Sequence, residues 1–279
     1  MLYFNLSDNG LTFNHSIDEK PDQSNFSMHT HEHYEILIFL TGNCKYIVEG
    51  NEYDLSPGNI IITRGCESHY LKVKGNSPYE RMVFHFEKEH IAKPLNSEIL
   101  LEPFENRVLG KQNCYNPYVL NKFVIDNLIS RIINVETDGN STEELKTVVF
   151  LSLYQLLYEI KEGFKSHSSV SADNSDNLIV SIVSYINQNI SEPLCLKQLS
   201  EHFYISKSHL TEQFKHYTGS TVWEYINTKR LLLAKKMLKD GFGTDDVLNE
   251  CGFNDYSTFY RRYKDYFGVS PSLDKRMIQ

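Results

Sequence analysis

Three histidines and one glutamate stand at spacings that can do chemistry. His29, His31 and Glu35 fall close together, and His69 follows a turn at Gly58. Three imidazoles and one carboxylate form a donor set that suits Zn, Fe, Mn or Ni. Alternation along a strand puts Glu35 on the same face as Leu37 and Phe39, so the carboxylate points into an apolar interior. A carboxylate buried there needs partners. The histidines can supply them, and Arg64 and His85 can reach the same pocket from neighbouring strands. The group therefore reads as the lining of a small-molecule site, as a metal site, or as satisfied histidines of the fold. One imidazole of the trio His29, His31 and His33 reads as simply solvent-facing.

A second constellation occupies the C-terminal part, where one phrase occurs twice. Ser206-Lys207-Ser208-His209-Leu210-Thr211-Glu212-Gln213-Phe214-Lys215 leads to Gly219, and Asp255-Tyr256-Ser257-Thr258-Phe259-Tyr260-Arg261-Arg262-Tyr263-Lys264 leads to Gly268. Leu210 matches Phe259, Phe214 matches Tyr263, Lys215 matches Lys264 and Gly219 matches Gly268, all at one offset of 49. A polar cap, two apolar residues four apart, a Lys and a terminal Gly describe one amphipathic helix with a C-cap. Two such helices, each preceded by a shorter helix and a tight turn, read as two helix-turn-helix units. Arg261 can pair bidentately with guanine, Ser and Thr hydroxyls read either pair, and Tyr can contact phosphate. Lys207, Lys215, Arg262 and Lys264 can anchor phosphates. In the plainer reading, Lys215 and Lys264 only complement the helix dipoles.

The elements that position these residues differ between the two parts. Residues 1–90 read as short strands: the run Ile36 to Leu40, then 45–48, 52–55, 59–63 and 81–86, with turns at Gly42, Gly50 and Pro57-Gly58. Many short strands point to a barrel or jelly roll. From about Asn116 the period turns helical, with one stripe over Leu120 to Ile132 and another over Leu145 to Ile160, joined by the polar break Glu136 to Ser141. Leu153, Leu156, Leu157 and Ile160 make a stripe broad enough both to cover the barrel and to form a dimer surface. Gly163 to Asn177 is rich in Ser, Asn and Asp and reads as a flexible linker. Beyond it a long helix spans about Val222–Lys239, with Trp223, Ile226, Leu231, Ala234 and Leu238 inward.

Composition narrows the classes. A chain of 279 residues is long enough for two domains with real cores, and 41% hydrophobic with 23% charged residues fits a soluble globular protein. No run approaches the roughly 20 apolar residues that span a bilayer. The first residues lack the basic region and apolar run of a signal peptide, so the cytoplasm is expected, with no membrane partner. Five cysteines without a CxxC pair exclude a zinc knuckle and read as buried reduced thiols. The net charge of −8 is uneven: residues 1–175 hold 15 Lys and Arg against 24 Asp and Glu, residues 176–279 hold 13 against 12. Any basic face in the second part must be local.

On Leu199, the two repeat helices, Tyr225, Arg230, Ala234, Gly252-Phe253-Asn254-Asp255 and Ser270-Pro271, residues 178–277 resemble the AraC/XylS family of bacterial transcription regulators. The resemblance implies two helix-turn-helix subdomains joined by the long helix, each placing one helix in the major groove. It puts Ser208, Thr211 and Glu212, then Tyr256, Ser257, Tyr260 and Arg261, at base-contact positions. Some residues depart from the pattern: Glu212 replaces a frequent Arg, Tyr204 a common Gly, and Ser200 and Leu248 the usual Ala. The N-terminal motif His29-x-His31-x3-Glu35-x6-Gly42, with Gly58 and His69, resembles the two motifs of cupins, whose His and Glu residues bind a divalent metal. Here Arg64 and Cys66 stand at the Pro and Gly positions of the second motif, and Gln23 at a leading Gly.

The fold expected is α+β in two domains. Residues 1–165 form a cupin-like effector-binding and dimerisation β-barrel with two helices, 166–177 the linker, and 178–279 an all-α double helix-turn-helix. The expected partners are double-stranded DNA, a second copy of the chain, and a small effector held by His29, His31, Glu35, Arg64, His69 and His85. No cofactor and no stoichiometric metal are expected, because the second cupin motif is broken. The rival reading is a metal-dependent cupin enzyme carrying a DNA-binding module.

Overall fold

Ile36 to Leu40 and Ile60 to Ile62 are apolar without alternation because their sheet is covered on both faces. The computed structural model describes every residue except Met1, Asn9, Cys66, Glu89, 92–97, 138–141, 167–177, Gly219, Asn254 and Gln279. The chain divides into two compact units, 1–175 and 176–279.

The first unit contains nine strands among its described residues: β1 (Leu2–Asp8), β2 (Leu11–Asp18), β3 (Tyr34–Thr41), β4 (Cys44–Val48), β5 (Asn51–Asp54), β6 (Ile60–Thr63), β7 (His69–Val73), β8 (Tyr79–Phe86) and β9 (Cys114–Tyr115). They pair antiparallel into a six-stranded sheet, β1-β2-β8-β3-β6-β9, and a three-stranded sheet, β5-β4-β7. Between the sheets lie Leu37, Phe39 and Ile61 from one and Tyr46, Val48 and Leu71 from the other. The opposite face of the larger sheet packs Ile36, Ile38, Ile60 and Ile62 under two helices, α2 (Lys122–Thr137) and α3 (Thr142–Lys165), while α1 (Glu102–Glu105) adds Phe104. Leu153, Leu156, Leu157 and Ile160 are all buried in that cover. The apolar residues α3 leaves exposed are Phe150, Leu151 and Tyr158 instead.

Two elements escaped the periodicity reading. The β1–β2 hairpin carries Asn and Ser on its outward positions, and β7 is a short strand among polar residues. Helix α3 also continues past the expected linker onset. Gly163 is buried inside it, and a Cβ there would sit 2.3 Å from Leu120 Cδ2. The expected linker 167–177 and the break 138–141 lie outside the described residues.

The second unit holds α4 (Leu178–Gln188), α5 (Leu196–His202), α6 (Lys207–Thr218), α7 (Val222–Lys239), α8 (Thr244–Glu250), α9 (Tyr256–Phe267) and α10 (Pro271–Ile278). Helix α7 starts with a Thr221/Glu224 capping box. Trp223 is not inward but 54% exposed; Tyr225 and Ile226 take the buried side, and the Arg262 guanidinium lies 5.1 Å over the Trp223 ring. Leu248 sits half-buried at the rim of the core built by Leu231, Ala234, Val247, Phe259 and Tyr263, so its extra bulk enlarges the rim and does not split the helices. Helix α10 was signalled only by Ser270, whose hydroxyl accepts from Leu273 N, and by Pro271 at the first helical position. Cys44, Cys114 and Cys251 are buried, but Cys195 is exposed and caps α5 through its sulfur. Among the described residues no helix is long and apolar enough to cross a membrane.

His15 ties the helical layer to the sheet. It is buried on β2, with Nε2 3.0 Å from Glu80 Oε1 on β8 and Nδ1 2.7 Å from Glu136 Oε2 near the end of α2. Burial alone lowers the His15 pKa, but Glu136 and then Glu80 outweigh it and the net shift is upward. A raised histidine contributes stability that is complete below its unfolded value of about 6.5 and is lost as pH rises through the folded value. His15→Gln is expected to cost about 2–3 kcal/mol at pH 6 and to flatten the fall in melting temperature between pH 6 and 8.5. An unchanged slope in thermal melts of the variant would remove His15 from that role.

Candidate functional site

The Glu35 cluster forms at one end of the space between the two sheets. Glu35 pairs with His85 and Thr63 in the register of the larger sheet, and His69 starts β7 in the smaller one. His29 is fixed against His69 by two backbone hydrogen bonds, 3.1 and 3.0 Å. The Glu35 carboxylate is buried, and its two oxygens have different surroundings. Oε1 accepts from the Tyr46 hydroxyl at 2.9 Å. Oε2 lies 2.8 Å from His85 Nε2, 3.1 Å from His31 Nε2 and 3.7 Å from His69 Nε2.

The electrostatics follow from this packing. Burial alone raises the Glu35 pKa, but the charge of His69 and hydrogen bonds from His31 and His85 hold it well below the usual carboxylate range. Burial lowers His69, yet Glu35 more than compensates and His69 is raised. Burial and then the carboxylate push Tyr46 well up, so its hydroxyl stays a donor. Packing on its inner edge and the neighbouring imidazole lower His29, whose outer edge is solvent-accessible.

Five of the six expected residues come together: His29, His31, Glu35, His69 and His85. Arg64 does not. Its guanidinium donates to the carbonyls of Phe104, Glu105 and Arg107, where the end of α1 leaves acceptors unpaired. His33 is the half-exposed histidine, and its carbonyl accepts from His31. Sequence reasoning missed Tyr46, which lies on the opposite sheet, so no local spacing signals its reach to Glu35.

The donor set can hold a cation. One ligand atom each from His29, His31, Glu35 and His69 lies within 4.8 Å of all the others. Four donors with three imidazoles and a carboxylate fit a divalent transition metal by type.

In the second unit the repeat helices expose equivalent faces. Leu210 and Phe214 on α6, Phe259 and Tyr263 on α9, are fully buried. Ser206 caps α6 by accepting from His209 N at 3.2 Å, and Asp255 caps α9 by accepting from Thr258 N at 2.7 Å. Ser208, Thr211, Glu212 and Lys215 lie at i, i+3, i+4 and i+7 on the exposed side of α6; Ser257, Tyr260, Arg261 and Lys264 repeat that placement on α9. Lys207 and Tyr256 open the two helices, again at the offset of 49. Thr211 donates its hydroxyl to Lys207 O, so outward it offers only acceptor lone pairs. With Leu196 and His216, Lys207, Ser208, Thr211, Glu212 and Lys215 line a shallow open groove. His216 was not among the expected residues, although its place beside Lys215 marks it as exposed. Arg262, stacked on Trp223, is less available for phosphate than expected.

The turns before these helices are equivalent too. Gly252 has φ +68° and Tyr204 φ +54°, both left-handed, and Tyr204 is 95% exposed. Tyr204 therefore occupies a backbone position that suits glycine, without burial to offset the strain. At Gly252 a Cβ would lie 2.8 Å from Ser191 O and 2.9 Å from Arg230 Cζ.

Two family models match the chain, one in each unit. Residues 16–134 match the AraC-like ligand binding domain family, and residues 199–276 match a helix-turn-helix domain family. The transcriptional activator RhaS of Klebsiella pneumoniae is 23% identical over 259 residues, which is 90% of this chain and 89% of that protein. RhaS of Salmonella schwarzengrund is 22% identical over 263 residues, covering 92% and 90%. Among solved structures, ToxT from Vibrio cholerae aligns over 97% of this chain and 98% of its own, at 17% identity and a TM-score of 0.39.

The two turn residues should respond oppositely to substitution. Gly252→Ala is expected to destabilise the second unit by about 1–3 kcal/mol, through strain and the contact with Arg230. Tyr204→Gly should stabilise it by roughly 0.5–1 kcal/mol, relief of the left-handed strain exceeding the entropy a glycine adds to the unfolded chain. Urea melts of the full chain read both; shifts of the same sign would contradict the geometry.

Proposed function

The chain belongs to the AraC/XylS family of transcription regulators, and from that premise we propose how it works: it reads double-stranded DNA through the outer faces of α6 and α9. The observation that carries this reading is the residue-by-residue match of those two faces around identically buried cores. Arg261 donates two parallel hydrogen bonds to guanine, Ser208 and Ser257 contact bases or phosphates, and Lys207, Lys215 and Lys264 track the backbone. Glu212 repels phosphate but can accept from cytosine N4.

The Glu35 cluster is the effector site in this reading, with His29, His31, His69 and His85 as the other lining residues. Its occupation biases the DNA-binding equilibrium of the second unit, a coupling between two distinct sites. The protein acts as a homodimer in the cytoplasm, and Phe150, Leu151 and Tyr158 supply the apolar surface for pairing. The relatives' description as transcriptional activators supports activation as the direction of control. Regulation rather than catalysis is the role of the first unit.

Two measurements test this. The fragment 176–279 should bind its site with a log–log salt slope of roughly −4 to −7, for about five to eight phosphate contacts. A slope near zero would sink the reading. In the full chain, Arg261→Ala should cost roughly 1–3 kcal/mol of specific binding and relax preference at one base pair, whereas Lys215→Ala weakens all sequences about equally. If both variants lose affinity with preference unchanged, Arg261 does not read a base.

A further inference from the structure

We infer that the stack of Arg262 on Trp223 sets the separation and crossing angle of the two DNA-reading helices. Trp223 and Arg262 are positioning residues in this sense: through them the protein accepts one base-pair spacing between the sub-sites of α6 and α9. The inference rests on the proposed reading of those two helices and adds the geometry that links them.

The first turn of α7 touches both helices. Tyr225 is buried and packs its ring edge-on against Phe214 of α6, with centroids 5.5 Å apart. Two residues earlier, the Trp223 ring carries the Arg262 guanidinium of α9 at 5.1 Å. At about 100° per residue, positions two apart point to nearly opposite sides of a helix. One turn of α7 therefore reaches α6 on one side and α9 on the other. That turn is itself pinned. Thr221 N donates to Glu224 Oε2 at 2.8 Å, and Glu224 N donates to the Thr221 hydroxyl at 3.2 Å. In the junction before it, Ser220 N donates to the Thr218 hydroxyl at 3.3 Å. A junction held this way passes the position of α6 on to Trp223.

Neither the repeat nor the core accounts for the stack. At the offset of 49, Arg262 corresponds to Gln213 and Trp223 to Ser272, so neither partner has a counterpart. Phe259 and Tyr263 already bury α9 against Leu231 and Ala234, and the Tyr263 hydroxyl donates to Asp274 of α10. Arg230 holds the turn before α9 by donating to the Gly252 carbonyl. Trp223 lies seven residues, or roughly 10 Å, nearer the start of α7 than Arg230. Two fixed points along α7 define the crossing angle of α9, whereas one leaves it free to swing.

The chemistry suits the role. A guanidinium over an indole face is attracted by the ring quadrupole, and its planar shape lets it stack. Arg262 also follows Arg261 directly, so its placement passes to the residue proposed to read guanine. On B-DNA one base pair is a shift of about 3.4 Å and a turn of roughly 34–36°. An inserted base pair thus carries the second sub-site away from a helix held at fixed distance and angle. A cation–π contact at an exposed site is worth about 2–5-fold, which bounds how strongly it can favour one spacing over the next.

The test uses the full-length protein. Trp223 is its only tryptophan, so emission excited beyond the tyrosine absorption reports this contact alone. Arg262→Ala should raise acrylamide quenching of that emission, and Arg262→Lys should raise it less. Binding is then measured on a duplex that the wild type selects from a randomised pool, and on the same duplex with one base pair inserted between the two sub-sites. The ratio of the two affinities should fall by about 2–5-fold in Trp223→Ala and in Arg262→Ala, with no further fall in the double variant. Trp223→Phe keeps a ring face and should restore part of the ratio. Trp223 stands at the surface, so these variants leave the core of the unit intact. Unchanged quenching in Arg262→Ala overturns the inference. So does an affinity that falls equally on both duplexes, which marks a purely structural contact. A salt slope reduced by about one in Arg262→Ala alone also overturns it, because that marks a phosphate anchor. A pool in which the wild type enriches no sequence sinks the DNA-reading proposal together with this inference, whereas an unchanged ratio on an enriched site sinks the inference only.

Discussion

The Glu67–Arg107 ion pair fixes the first unit around its polar site. Both side chains are fully buried, and the guanidinium meets both carboxylate oxygens, at 2.6 and 2.5 Å. The same carboxylate accepts from Gly110 N, Arg64 N and Asn113 Nδ2. Burial alone would raise Glu67, but the charge of Arg107 and these donors hold it below its ordinary value. Breaking such a pair by removing one partner costs about 3–5 kcal/mol, because the other charge is left buried and unpaired. What the pair secures is the loop between β6 and β7. The Glu67 carbonyl in that loop accepts from His69 Nδ1, so the pair fixes which nitrogen of His69 faces Glu35. The segment that supplies Arg107, which has no strong periodicity of its own, is thereby part of the site's support.

An arginine does the corresponding work in the second unit with neutral partners. Arg230 on α7 is buried and donates to the carbonyls of Ile190, Glu192 and Gly252. These acceptors close the loop after α4 and the turn before α9. One guanidinium thus sets the position of the second helix-turn-helix against the connecting helix, and the planar fork of arginine makes three acceptors reachable at once. Gly252 has to be glycine on two counts, its positive φ and the closeness of Arg230. The first turn has no such clamp over Tyr204, which explains why a side chain fits there at all.

Features written in local spacing were legible in the sequence. The offset of 49 located both caps, both buried pairs and both exposed faces of α6 and α9. Strand parity placed Glu35 inward with Leu37 and Phe39. Features that depend on pairing across the chain were not legible. Arg64 was expected beside Glu35, and carbonyls some 40 residues later take its guanidinium instead. Trp223 follows the apolar stripe of α7 yet lies outside, because Arg262 offers a stacking partner at the surface. The role of Leu153 to Ile160 was ambiguous for the same kind of reason. A stripe says that a face is apolar, not which surface covers it, and here the core shared by the sheet and its covering helices buries all four residues.

Charge distribution completes the argument about how such a chain can bind DNA. With 24 acidic against 15 basic side chains, residues 1–175 repel a polyanion, and residues 176–279 are nearly neutral. Non-specific attraction, which scales with the phosphates neutralised, is therefore weak. In the proposed reading the affinity comes from a few placed cations, Lys207 and Lys215 on α6 and Arg261 and Lys264 on α9. At the matched position α9 offers Arg261 and α6 offers Glu212. A carboxylate cannot anchor phosphate, so at this position α6 only discriminates, penalising any base pair that gives Glu212 no donor, while Lys207 and Lys215 on α6 and Lys264 on α9 hold the duplex. A low background and a repulsive residue at the interface both raise the ratio of specific to non-specific binding, and that ratio decides whether a regulator finds its site among competitors.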